Sequence, residues 1–172
     1  FADRVEGNLL AAHQEIQKLA LLHPQGELAR EQVEAAVLNV ARYDVFKLSE
    51  AVLSGQVART QRMLDGLQAE GEAEVLVHWA LAEDIRALKR VKDAMNAGKP
   101  LPMALRENRV WGVKERLYER LLPQASDAQL ARLLQSAHVV DGIVKGLKQA
   151  DWPQDGWQAL SRLALQLCRL GR

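Results

Sequence analysis

Two groups of residues in this sequence have the types and spacing that contact with a nucleic acid would need. The first is a run of cations: Arg86, Lys89, Arg90, Lys92 and Lys99, then Arg106, Arg109, Lys114, Arg116 and Arg120. Cations gathered on one surface can track phosphates and release their counterions. A structural role fits the same residues. Arg86 to Lys92 stand near the C-terminal end of a predicted helix, where positive charge offsets the helix dipole. Asp93, Glu107, Glu115 and Glu119 dilute the run. The second group is the polar loop from Gln149 to Trp157, with Trp152 directly before Pro153. The proline holds Trp152 extended. An indole there either plugs the end of a helical bundle or offers a flat face on which an unpaired base can stack. Trp157 opens the apolar stripe of the next predicted helix, and core packing accounts for it.

Catalytic patterns are not found. No glycine-rich phosphate loop of the form Gly-x-x-x-x-Gly-Lys-Ser/Thr occurs. His13, His23, His78 and His138 are scattered, and no two stand at metal-ligand spacing. His138 and Asp141, three residues apart, read as a surface hydrogen-bonding pair. Glu83 and Asp84 are adjacent, and neighbouring helix positions face apart. Cys168 falls on an inward stripe and reads as a small buried hydrophobe rather than a reactive thiol. These residues predict no catalytic, metal or cofactor site.

The elements that must position the two groups are helices. The 172 residues carry 48% hydrophobic and 26% charged side chains, enough for a folded core. Leu, Ala, Gln, Glu and Arg dominate and lose little entropy in a helix. The formal charge of +1 excludes an argument for nucleic acid or membrane from net charge alone. One cysteine excludes an internal disulfide and fits a reducing, cytoplasmic setting. No apolar run reaches the length of a membrane span. The chain opens on Phe1, in mid-element, and is expected to be an excised fragment.

Apolar spacing predicts helices over 8–22, 31–40, 45–53, 56–69, 74–96, 101–107 and 111–122. A further helix starts after Ser126, and a last one runs from Trp157 to about Leu170. Turns fall at His23–Gly26, Ser54–Gly55, Glu70–Glu72 and Gly98–Pro100. Val77, Leu81, Ile85, Leu88 and Met95 form one stripe, widened by Leu76, Trp79 and Ala80, so this helix should meet several neighbours. Leu130, Leu133, Leu134, Ala137, Val140, Val144 and Leu147 form the next stripe. Alternation typical of strands is absent. The fold class is all-α.

A resemblance joins these pieces. Glu6-Gly7-Asn8-Leu9-Leu10-Ala11 with Gln14-Glu15-Ile16-Gln17-Lys18-Leu19 resembles a segment of the DNA polymerase III delta subunit family, part of the bacterial clamp loader. In the expected order follow Val33 to Val37, Arg109-Val110-Trp111, and Trp157-Gln158-Ala159-Leu160 through Cys168. The resemblance implies a small helical lid of a degenerate AAA+ module over 1–42, then a multi-helix collar over 43–172. It implies a non-catalytic subunit that helps open the sliding clamp and place it on primed DNA. The implied partners are the ATPase subunits and delta-prime through the collar, and the clamp through an N-terminal domain outside this chain. No cofactor and no membrane are implied.

In related clamp-loader ATPases the lid helix begins Gly-Ser-x-Arg, and its arginine senses phosphate. Here the register reads Gly7-Asn8-Leu9-Leu10, and leucine cannot pair with a phosphate. The basic run supplies Lys89, Arg90 and Lys92 as candidate DNA contacts, the resemblance adds Trp152 in the loop before the last helix, and Arg109 and Trp111 of the matching segment are candidates for a subunit interface. A helical adaptor with one concave groove is the alternative.

Overall fold

The computed structural model describes residues 9–22 and 44–172. The expected break at Gly7–Asn8, the turn His23–Gly26, the helix carrying Val33, Ala36, Val37 and Val40, and the lid–collar boundary near Arg42 lie outside the described residues. Among those described, every regular element is a helix, as the apolar spacing predicts. In chain order they are α1 (Leu9–Leu22), α2 (residues 44–53), α3 (Val57–Ala69) and α4 (Glu74–Asn96). Then come α5 (Leu101–Glu107), α6 (Val113–Leu121), α7 (Asp127–Val144) and α8 (Gly156–Cys168). In α1, Ile16, Ala20 and Leu21 are exposed, so its apolar spacing marks a helix without marking a fully buried face.

The boundaries follow local chemistry. Ser126 accepts a hydrogen bond from the Gln129 backbone N–H at 3.1 Å, and the Gln129 side chain accepts one from the Ser126 N–H at 2.9 Å. This reciprocal capping satisfies two otherwise orphaned donors and starts α7. At the other end Gly146 takes φ +94°. The Leu147 N–H then reaches back to the Gly142 carbonyl at 2.9 Å, and the helix closes. Leu147 therefore does not continue the core stripe as the spacing suggests. It is 68% exposed and folds over Gly142. Gly55 turns the chain between α2 and α3 at φ +68°. A Cβ there would crowd the Cys168 carbonyl at 3.2 Å, so the turn needs glycine for both conformation and space.

α4 organises the bundle. It packs on α5, α7 and α8, and α8 packs in turn on α3 and α7. Val77, Leu81, Ile85, Leu88 and Val91 of α4 are buried, together with Leu130, Leu133, Val140, Leu160, Leu163 and Leu167 from α7 and α8. Each buried leucine or isoleucine contributes on the order of 1.5–3 kcal/mol. Trp79, expected to widen the α4 stripe, lies outside it and is 48% exposed. Cys168 is buried, with Sγ 3.5 Å from Thr60 Oγ1, and burial pushes its thiol pKa up. No described helix is long and apolar enough to cross a membrane.

Candidate functional site

Asp84 is where the site begins. Its position, three residues after Leu81 and four before Leu88, puts it on the apolar stripe of α4, and it is only 1% exposed. A buried carboxylate needs partners on every side. Ser49 of α2 donates to it at 2.6 Å, Lys114 of α6 at 2.7 Å, and the Tyr118 hydroxyl of α6 at 3.0 Å. Burial, then the adjacent carboxylate, pushes the Tyr118 phenol pKa strongly up, so it remains a donor. One acid thus ties α2, α4 and α6 together. Glu83 next to it faces outward, as adjacent helix positions require. It accepts from Arg86 at 3.2 Å and from Arg90 at 2.9 Å. Desolvation raises the Glu83 pKa, but these two guanidinium hydrogen bonds outweigh it and hold the carboxyl below its usual value.

Above the Asp84 cluster lies an open cleft of about 420 Å³, walled by α2, α4 and the loop between α5 and α6. The geometry of that loop is unusual. α5 ends with the Arg109 N–H on the Arg106 carbonyl and the Val110 N–H on the Leu105 carbonyl at 2.9 Å. This pattern puts Arg109 in the left-handed position that glycine normally fills. Its φ is +56°, which costs a non-glycine residue about 1–2 kcal/mol. Val110 turns inward and is buried, and Trp111 turns outward, 64% exposed. Gly112 follows at φ 67°, ψ −138°, a region open in practice only to glycine, and α6 starts. Phe46 of α2 is half exposed on the facing wall, with Lys114 Nζ 5.8 Å from its ring centroid.

The cleft therefore brings together Arg90, Arg109 and Trp111 from the sequence-derived candidates. Arg90 is held by Glu83, whereas Arg109 has no ion-pair or hydrogen-bond partner for its side chain among the described residues. An unpaired guanidinium beside an exposed indole can grip a carboxylate or phosphate and cover it with an apolar face.

Lys89 and Lys92 point elsewhere. Lys89 pairs with Asp93 one turn on. Lys92 donates to the Leu122 carbonyl at 3.1 Å, at the end of α6. The last turn of α4 holds no cation, so the dipole argument for Arg86 to Lys92 does not apply; Arg86, Lys89 and Arg90 are instead paired with acids on the same helix.

Trp152 does not line this cleft. It is half-buried against the core on the loop before α8. The Arg162 guanidinium lies 4.1 Å from its ring centroid and donates to the Asp151 carbonyl at 2.6 Å. Asp151, like Arg109, has positive φ, at +64°, a conformation that aspartate tolerates.

The sequence reading missed Asp84, although its place within the Leu81–Ile85–Leu88 stripe was the available signal. It also missed His78, which is buried with Nε2 2.8 Å from the Ala137 carbonyl. Asp141 lies 3.7 Å from His78 Nδ1 and pairs with Lys145 at 2.8 Å, so the expected His138–Asp141 hydrogen bond is replaced by these contacts. Among the described residues no cluster of His, Cys, Asp or Glu has the arrangement of a metal site.

No protein-family profile matches the chain. Individual relatives do. The DNA polymerase III subunit delta of Haemophilus influenzae is 23% identical over 171 residues, covering 95% of this chain and 48% of that protein. The DNA polymerase III subunit delta of Escherichia coli K12 is 32% identical over 163 residues, covering 95% of this chain and 46% of the relative. The chain spans about half the length of these curated relatives, and along nearly all of its own length it is similar to a DNA polymerase III delta subunit.

Proposed function

We propose that this chain is the lid-and-collar part of a clamp-loader delta subunit, with 1–42 as the AAA+-type lid and 43–172 as the collar. It is a non-catalytic assembly element. Through the collar it joins the ATPase subunits and delta-prime, in a loader that opens the sliding clamp and places it on primed DNA. Contact with the clamp belongs to an N-terminal domain outside this chain. The observation that carries this reading is 32% identity extending over 95% of the chain, rather than over one helix.

The Arg109–Trp111 loop is the proposed subunit contact. An exposed tryptophan beside an unpaired arginine is the composition that dominates binding energy at protein interfaces. Trp152, Lys89, Arg90 and Lys92 remain the proposed DNA contacts. Because Lys89 and Arg90 are paired with acids, phosphate binding there would require exchange of partners, and the contribution of these residues should fade as salt is added.

The test is co-expression of this chain with the collar domains of clamp-loader ATPase subunits and delta-prime, followed by affinity purification on a tag carried by one ATPase collar. Recovery of the chain in a defined assembly supports the reading. A chain that never co-purifies, under conditions where the other collars do, removes it.

A further inference from the structure

We infer that a second surface, the groove between α7 and the C-terminal end of α8, is a docking site for a short acidic peptide segment of a protein partner, one bearing an apolar side chain between carboxylates. The groove has a volume of about 460 Å³, within the range of pockets that hold small ligands or a few side chains. Arg132 stands on its α7 side and Arg169 on its α8 side. Both are exposed, and neither guanidinium has a hydrogen-bond or ion-pair partner among the described residues. Arg172 at the rim donates to the Gly55 carbonyl at 3.4 Å.

The charge here differs from that on α4, where Arg86, Lys89 and Arg90 each meet an acid within two turns. No acidic residue occurs from 128 to 140 or from 156 to 172. The acids at the two ends of α7 are already engaged: Asp127 accepts from Asn96 at 3.0 Å, and Asp141 pairs with Lys145 at 2.8 Å. No acidic side chain lines the groove, so its arginines meet no acid on its walls, although the whole chain carries only +1. Guanidinium forks on two walls suit carboxylates or phosphates.

The floor decides between these ligands. Leu133 and Leu170 are buried beneath the groove and give an apolar seat between the two arginines. The amides of Gln135 and Gln166 can bond an extended backbone. No aromatic residue lines the groove, so an unpaired nucleic acid strand would lack the stacking contacts that hold its bases. An acidic peptide with a central leucine uses both the floor and the walls.

The test is fluorescence anisotropy with a labelled ten-residue peptide, two glutamates on each side of one leucine in a glycine–serine frame, at low salt. Saturable binding is expected. Arg132→Gln with Arg169→Gln should weaken it at least about tenfold. The same peptide with glutamine for glutamate, or with alanine for leucine, should also lose affinity. Both substitutions sit at exposed positions, and an unchanged melting temperature would verify folding. An Arg132→Lys and Arg169→Lys variant, which keeps charge and loses the forks, should fall between. Absence of peptide binding, unchanged affinity in the glutamine double variant, or tighter binding of a labelled ten-nucleotide oligo(dT) lost in that variant, would overturn the inference.

Discussion

Trp111 and Trp152 sit in similar settings and meet different fates. Each is one or two residues past a non-glycine residue in the left-handed region, and each precedes a helix. Trp111 is presented to solvent beside the unpaired Arg109. Trp152 is half-buried, with Arg162 already over its ring. A cation on an indole occupies a face that a base or partner would otherwise use. The comparison separates two jobs that look alike in sequence. The 149–155 loop closes the bundle first and can offer only what remains of its ring. The 108–112 loop buries Val110 in the core and leaves Arg109 and Trp111 exposed.

The largest effect should come from the support under the exposed loop. Asp84→Ala leaves the buried Ser49 and Tyr118 hydroxyls without their acceptor and releases the part-exposed Lys114, and each stranded hydroxyl costs about 1–3 kcal/mol. Urea unfolding measures it. A loss well below that range would mean that α2, α4 and α6 do not depend on this carboxylate to hold the cleft.

Trp152→Ala should follow, at about 2 kcal/mol, from a half-buried indole and its lost cation–π contact. Thermal melting and primed-DNA binding by the full loader divide the outcomes. A lowered melting temperature with unchanged DNA affinity makes Trp152 a plug alone. Weaker DNA binding, by about 1–3 kcal/mol, shows that the remaining ring surface also stacks.

Arg109→Gly inverts the pattern. Glycine relieves the left-handed strain and loses more entropy on folding, so stability should change by no more than about 1 kcal/mol. Assembly with partner collars should nevertheless weaken, because the guanidinium is gone. Arg109→Ala keeps the strain, removes the same group and should weaken assembly equally. Wild-type assembly by either variant would mean that the strained arginine has no partner to grip.

The smallest effect lies under the Trp152 loop. The Glu74 carboxylate presses against Gly156 near Asp155. Desolvation, then repulsion from Asp155, raises its pKa above the ordinary 4.5. A carboxyl with a raised folded pKa stabilises the fold fully below the unfolded value, and that contribution is lost as pH rises through the folded one. Glu74→Gln should therefore melt slightly higher than wild type at neutral pH, and the gain should vanish below about pH 4. A gain that persists in acid would assign the effect to packing rather than charge.

Much of the helical frame was legible in sequence because the apolar spacing is regular and the stops are chemical: Ser54–Gly55, Gly98–Pro100 and the Ser126 cap. The errors fall where the period was extended past a stop or out to the edge of a face. Leu147 keeps the period of α7, but Gly146 had already ended the helix. Trp79 widens the α4 stripe on paper and falls on its solvent edge in space. Asp84 was hidden by its charge, since a carboxylate on an apolar stripe reads as noise until its three donors from two other helices are seen. Arg109 and Trp111 entered as candidates through family resemblance, whereas the strain at Arg109 and its lack of a partner were not legible. Backbone conformation at one residue and the pairing of one guanidinium depend on neighbours that spacing does not place.

Native mass spectrometry of this chain with the clamp-loader ATPase subunits and delta-prime tests the central claim most directly, run beside the Arg109→Ala, Trp111→Ala double variant. The account predicts one copy of the wild-type chain per assembly. It predicts a double variant that stays folded, with stability within about 1 kcal/mol of wild type, and fails to join. A wild-type chain that remains alone, or a double variant that assembles as well as wild type, would contradict it.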